Sequence, residues 1–242
     1  MTYSIVARCP RSGQFGVAVA TYSPNVGTTV PLVVSGRGAI AYQCVTSPVH
    51  RAIAGRMLGE GASAAGTLAA LAVQDPFWRM RQVTLVDMVG GVAGYTGETA
   101  PAHAGHKLGQ GFAVAGNVLT ATCLDETFAA FSATLESELS LAERLLRALE
   151  AGARSGGQPE GLTSAALLVH GAEPFPLLDI RVDVHDQPVI ELRRVFNFMA
   201  PLEGFYLQRK KDPTGLPRWW QKRMQEVPGW QPNHLVKVVP QQ

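Results

Sequence analysis

Alternation with a period of two opens the chain. Tyr3–Arg8 and Phe15–Thr21 each carry the side-by-side apolar pattern of a strand, and Cys9-Pro10-Arg11-Ser12-Gly13 between them has the composition of a hairpin turn. Val30–Val34 and Ala39–Val45 repeat the pattern around Gly36-Arg37-Gly38. At Ser47-Pro48 the period changes. A serine can accept from a free amide of the first helical turn, and a proline there gives up no hydrogen bond, so a helix is predicted to start at this point. Helical patterns cover about Val49–Leu58 and Ala62–Val73, and the second stops at Asp75-Pro76 because proline disfavours helix in the residue before it. Gln82–Asp87 and Val92–Thr96 form a second hairpin around Gly90-Gly91. After a glycine-rich stretch comes a short strand, Phe112–Ala115, closed by Gly116-Asn117. Two helices follow. In the second, Ser140 and Glu143 make a capping box, Glu143 faces Arg147 at i,i+4, and Leu141, Leu145 and Leu149 line one face beside Leu146, before Gly152, Gly156 and Gly157 end it. Strands at Ser164–His170 and Leu177–Val182 precede a last helix near Val189–Phe198.

Strands joined by tight turns pair antiparallel, and helices that enter in pairs cover the outer faces of the sheets they follow. The expected fold is α+β, a four-layer αββα sandwich of two antiparallel sheets. With 46% apolar and 17% charged residues in 242, the chain can bury a large core in one domain, with or without an appendage.

Composition adds a boundary. From Val195 onward there are seven Lys or Arg against three Asp or Glu, while the preceding residues are net acidic, and Trp219, Trp220 and Trp230 are three of the four tryptophans. We expect an αββα domain over residues 1–195. A basic, Trp-rich extension over 196–242 would dock on that domain or at a dimer interface. Arg209-Lys210-Lys211, Arg218-Trp219-Trp220 and Lys222-Arg223 interleave charge with aromatics, but the charge is modest for a nucleic-acid site, so nucleic acid is not the expected partner. A homodimer or higher homo-oligomer is. Met1 to Arg8 lacks a basic start and an apolar h-region, and no apolar run approaches the length of a membrane span, so neither a signal peptide nor a membrane partner is expected. Cys9, Cys44 and Cys123 are odd in number and scattered, which suits a reducing cytoplasm.

Thr2 carries the most specific candidate chemistry. A small second residue allows Met1 to be removed, leaving a strand that begins with a free α-amine beside a hydroxyl, so that nucleophile and base sit on one residue. An α-amine titrates near 8, close to what general-base catalysis wants. Asn117 at a strand end can donate its amide to an oxyanion, or simply make a turn with Gly116. Gln43 alternates with Ala41 and Val45 and points either into a cleft between sheets or outward. Arg8, ending the first strand, could hold a carboxylate bidentately or form a surface ion pair. Asp179, Arg181 and Asp183 share one strand face, which reads as solvated or ion-paired. His103 and His106 have metal-like spacing, but nothing is spaced to complete a set. No metal or cofactor is expected. Nothing resembles a phosphate loop or a nucleophile elbow; Ser12-Gly13 and Ser35-Gly36 are turns.

Several stretches taken in order resemble a known family. They are Thr2-Tyr3-Ser4-Ile5-Val6-Ala7-Arg8, Gly16-Val17-Ala18-Val19-Ala20, Val26-Gly27-Thr28-Thr29-Val30-Pro31, Gly38-Ala39-Ile40-Ala41 with Gln43, and Arg81-Gln82-Val83. Gly116-Asn117, Ser164–Val169 and Leu178–Asp183 complete the series. The pattern is similar to the domain of unknown function 1028 family, placed in the N-terminal nucleophile (Ntn) hydrolase superfamily. The resemblance runs from residue 2 to about 194 and implies the same αββα fold. It also implies a mechanism in which the N-terminal residue attacks an amide carbonyl of a small-molecule substrate and its own amine shuttles the proton. Carried onto this chain, Thr2 is the nucleophile and its amine the base. Asn117 and Gly116 are the accompanying catalytic candidates, and Gln43, Arg8 and Ser47 the candidates for binding substrate. The chain departs from the pattern at Cys9 (usually aspartate), at Ser47 (usually asparagine) and over Gln158–Thr163. A non-catalytic ligand-binding or scaffold protein on the same fold is the alternative.

Overall fold

The computed structural model of the protein describes residues 1–101, 103–212 and 214. Alternation produces strands where it was expected: β1 (Thr2–Arg8) and β2 (Phe15–Thr21), then β3 (Pro31–Val34) and β4 (Gly38–Cys44), with a single helical turn, α1 (Val26–Thr29), between the pairs. Ser47 caps α2 (Pro48–Gly59) by accepting from the His50 amide, and Ser63 caps α3 (Ala64–Gln74) through the Gly66 amide. Four strands follow, β5 (Arg81–Asp87), β6 (Val92–Thr96), β7 (Gly105–Gly109) and β8 (Phe112–Asn117). Then come α4 (Cys123–Ser132) and α5 (Leu141–Arg154), the latter started by the Ser140 hydroxyl on the Glu143 amide. β9 (Ser164–His170), β10 (Pro176–Val182), α6 (Pro188–Met199) and α7 (Glu203–Lys211) complete the described chain.

Three elements, β7, α1 and α7, go beyond those expected. β7 is the glycine-rich stretch, an edge strand that hydrogen-bonds to β8 alone in its sheet. α1 is too short to carry a periodic pattern and has no side-chain cap.

The strands form a six-stranded sheet in the order β10-β9-β2-β1-β8-β7 and a four-stranded sheet in the order β3-β4-β5-β6, antiparallel throughout. The sheets face each other. α2 and α3 cover the outer face of the smaller one and α4 and α5 that of the larger, giving the four-layer αββα sandwich. Period two then decides which layer each residue enters. On β1, Val6 joins Val17, Val19, Val33, Ala39, Ala41 and Val86 between the sheets, whereas Tyr3 turns outward and donates its hydroxyl to Leu149 O on α5. Ile40, Tyr42, Val83 and Leu85 face the other way, packing against Ala54, Leu58 and Leu71 of α2 and α3.

The chain divides into two compact units, Met1–Leu192 and Arg193–Gln242. In the second, α7 ends in Arg209, Lys210 and Lys211. The tryptophans and basic residues of the expected docking segment, Arg218 to Trp230, lie outside the described residues. Among the described residues, no helix is long and apolar enough to cross a membrane.

Candidate functional site

Thr2 and Asn117 are directly paired across β1 and β8, which places their Cβ atoms about 5 Å apart. Both are buried, Thr2 at 6% exposure and Asn117 fully. They share the inter-sheet layer with Ser4, Thr21, Gln43, Gln82 and Thr84, all buried. One end of that layer is therefore polar and its middle is mostly valine and alanine.

Gln82 on β5 organises this end. Its Nε2 lies 2.8 Å from Gly116 O, 3.0 Å from Gly105 O and 3.0 Å from Thr96 Oγ1. Backbone carbonyls can only accept, so that atom must be the amide nitrogen, and Gln82 Oε1 must be the acceptor. Gln43 Nε2 and Asn117 Nδ2 both donate to that oxygen at 2.9 Å. The chain of donors fixes all three amides and ties the two sheets together. It also leaves Asn117 one further amide proton, and leaves Gln43 Oε1 and Asn117 Oδ1 without partners among the described residues, as are Ser4 Oγ and Thr84 Oγ1. Buried polar atoms are rarely left so. Four in one layer beside Thr2 mark a place built to meet another polar group. Gly116 serves by lacking a side chain, since a Cβ there would come within 2.5 Å of Leu119 Cδ1.

Met1 sits at the mouth of this end. Its carbonyl oxygen accepts from the hydroxyls of both Thr2 and Thr21, which are themselves 3.2 Å apart. Burial holds its α-amine below the usual range, although Cys44 and Glu160 act the other way. The Cys44 thiol is pushed up, chiefly by burial. Gln158 closes the rim: Oε1 accepts from Tyr22 N at 2.8 Å and Nε2 donates to Asn117 O at 3.3 Å. The backbone is strained around the site. Cys44, Val118 and His103 have φ of 72°, 54° and 54°, and for a β-branched residue such as Val118 the left-handed region costs on the order of 1–3 kcal/mol. Strain of this kind survives where surrounding structure over-determines it.

Ser47 is engaged elsewhere. Its hydroxyl caps α2 and lies 2.8 Å from His50 Nδ1. His50 in turn approaches Asp75, which accepts from Tyr42 Oη at 2.6 Å and from Arg81 Nε at 2.8 Å. Burial works against the Asp75 carboxylate, but Arg81, Tyr42 and the Phe77 amide hold it down at about 2. Arg81 Nη1 also donates to Val45 O at 2.7 Å, fixing the loop that follows Cys44. Arg8 is not brought to Thr2. It stands at the other end of β1, six residues or about 20 Å away. His106 bonds to Thr96 through Nδ1 at 3.0 Å, and Asp179 pairs with Arg181 at 3.5 Å on a half-exposed strand face. Among the described residues no three His, Cys, Asp or Glu side chains gather as a metal set.

Of the expected residues, Thr2, Gly116, Asn117 and Gln43 converge; Ser47 and Arg8 do not. Gln82, Thr21 and Gln158 belong to the same end and were not singled out as site residues. The alternation of Gln82 with Thr84 between the apolar Val83 and Leu85 is the available signal for Gln82.

The fold and this polar end define a four-layer αββα protein with a buried threonine at the head of a central strand. The chain belongs to the Family of unknown function (DUF1028), which it matches over residues 2–192. It is similar to the crystal structure of a protein from Silicibacter pomeroyi that matches the same family, with 29% identity and a TM-score of 0.74 over 82% of this chain and 89% of that one. Weaker likenesses include Anbu (ancestral beta-subunit) from Yersinia bercovieri, at 12% identity and a TM-score of 0.42 over 85% of this chain and 97% of that one. The Anbu (Gly-1) mutant from Hyphomicrobium sp. strain MC1 gives 11% and 0.41 over 85% and 97%. No curated protein matches significantly.

Proposed function

We propose that this chain is an N-terminal-nucleophile amidohydrolase that cleaves a C–N amide-type bond in a small molecule once Met1 is removed from Thr2. Thr2 Oγ1 adds to the substrate carbonyl carbon as the Thr2 α-amine takes its proton. The second amide proton of Asn117 meets the oxyanion. Collapse expels the leaving nitrogen, which takes the proton back from the α-ammonium, and leaves an ester on Thr2. Water, deprotonated by the same amine, then adds to the ester carbon, and collapse releases the carboxylic acid product while Thr2 Oγ1 leaves and takes the proton back from the ammonium.

The observation that carries this reading is the way Met1 is held. An acyl oxygen already rests between the hydroxyls of Thr2 and Thr21, beside the cross-strand partner Asn117. Burial already holds the Met1 amine below its usual range, and an amine freed one residue further along the same strand is neutral, and so able to accept a proton, near pH 7. Rates should therefore rise with pH through a midpoint below about 8.

The test begins with the intact mass of protein purified without an N-terminal tag, followed by an amide-substrate screen with Thr2→Ala as control. Loss of Met1 and turnover that vanishes in Thr2→Ala support the proposal. Full retention of Met1, or turnover indifferent to Thr2, overturns it.

A further inference from the structure

At the end of the sandwich opposite Thr2 there is a cavity of about 200 Å³, lined in part by Arg8, Gly90, Gly111, Glu136 and Arg144. Gly90 and Gly111 lie in the turns between β5 and β6 and between β7 and β8, and α5 contributes Arg144. None of this touches the threonine site.

Arg144 is only 1% exposed, yet it has no carboxylate partner. Its Nε donates to Thr134 Oγ1 at 3.2 Å, Nη1 reaches Cys9 Sγ at 3.9 Å, the guanidinium lies over the Phe131 ring at 4.7 Å, and Nη2 has no partner among the described residues. Arg8 Nε is likewise buried and unpartnered, with its guanidinium over Phe15 at 5.9 Å. A buried charge without a counter-charge is costly, and a guanidinium carries five donors suited to a planar or tetrahedral oxyanion. The acids nearby do not fill that role. Glu138 is taken by Arg11 at 2.9 Å, and Glu136, although its charge reaches Arg144, is exposed and forms no ion pair with either arginine. The local field is visible at Cys9: burial opposes ionisation, but hydrogen bonds from Ser12 and Arg11 and the charge of Arg144 draw the thiol below its usual range.

We infer that this cavity is a binding site for a small oxyanion, a carboxylate or a phosphate, held between Arg8 and Arg144 and separate from the threonine end. Its volume suits an ion of a few heavy atoms rather than a cofactor. The occupant completes the ion pair that Arg144 lacks, so binding stabilises the folded chain.

The experiment is a thermal melt of the full chain at constant ionic strength, titrating chloride against inorganic phosphate in one arm and against succinate in the other. A saturable rise in melting temperature with either oxyanion, absent with chloride, is expected, and the arm that responds identifies the group taken. Arg8→Ala should weaken that response about tenfold. Cys9→Asp, which sets a carboxylate beside Arg144, should abolish it while raising the melting temperature without added anion. No saturable response in either arm overturns the inference, as does a response that Arg8→Ala and Cys9→Asp both leave unchanged. Because the readout is binding and not turnover, it stands or falls independently of the hydrolase proposal.

Discussion

Two buried arginines sit in the same molecule under opposite terms. Arg81, 5% exposed, makes two hydrogen bonds to Asp75 at 2.8 and 3.3 Å, and the pair locks the loop after β4. Arg144, 1% exposed, has a hydroxyl, a thiol and an aromatic ring but no carboxylate. Burial works against the charge of each. At Arg81, Asp75 more than compensates and the guanidinium is raised; at Arg144 burial prevails and it is lowered. The first is a finished structural device, and the second awaits an anion. A buried charge left incomplete in a cavity points to a ligand in a way that a completed pair does not.

The comparison can be broken in graded steps. The largest effect should come from Thr2→Ala, which removes the proposed nucleophile. Turnover should fall by about 10⁴-fold while the anion-dependent melt is unchanged, confining chemistry to one end. Next, Asp75→Ala should make Arg81 resemble Arg144, at a cost of about 3–5 kcal/mol in a denaturant titration, since a buried charge loses its partner. Removing the oxyanion donor with Asn117→Ala should lower kcat about 10²-fold or more with little change in KM. Acid should reach the same pair as Asp75→Ala more gently. Asp75 ionises at about 2 when folded against an ordinary 3.8. Its contribution of about 2 kcal/mol is then fully present above about pH 4 and lost as pH falls towards 2, which melts across that range would record. Smallest is Cys9→Asp, which makes Arg144 resemble Arg81 and should add about 1 kcal/mol with turnover intact.

Much of the sandwich was legible because its signals are local. Glycine and proline turns separate the strands, and Ser47 and Ser140 supply caps. β7 was missed because Gly-His-Lys-Leu-Gly has no alternation to read, its conformation being imposed by pairing with β8. The site divides in the same way. Thr2 is a candidate already from its position, but Gln82 acquires its place only when β8 lies across from it in the facing sheet. Nothing in the sequence singles out Arg144. Its burial depends on Cys9 and Thr134, the former 135 residues distant in sequence, and no periodicity encodes that.

Val118 has a consequence for anyone who would alter this protein. A glycine there would adopt the same backbone freely, and the folded state would gain by about 1 kcal/mol or more. A stability-guided library would select that replacement early. It would also free the chain next to Asn117 to wander, so that the sturdier variant is the one from which a slower catalyst should be expected.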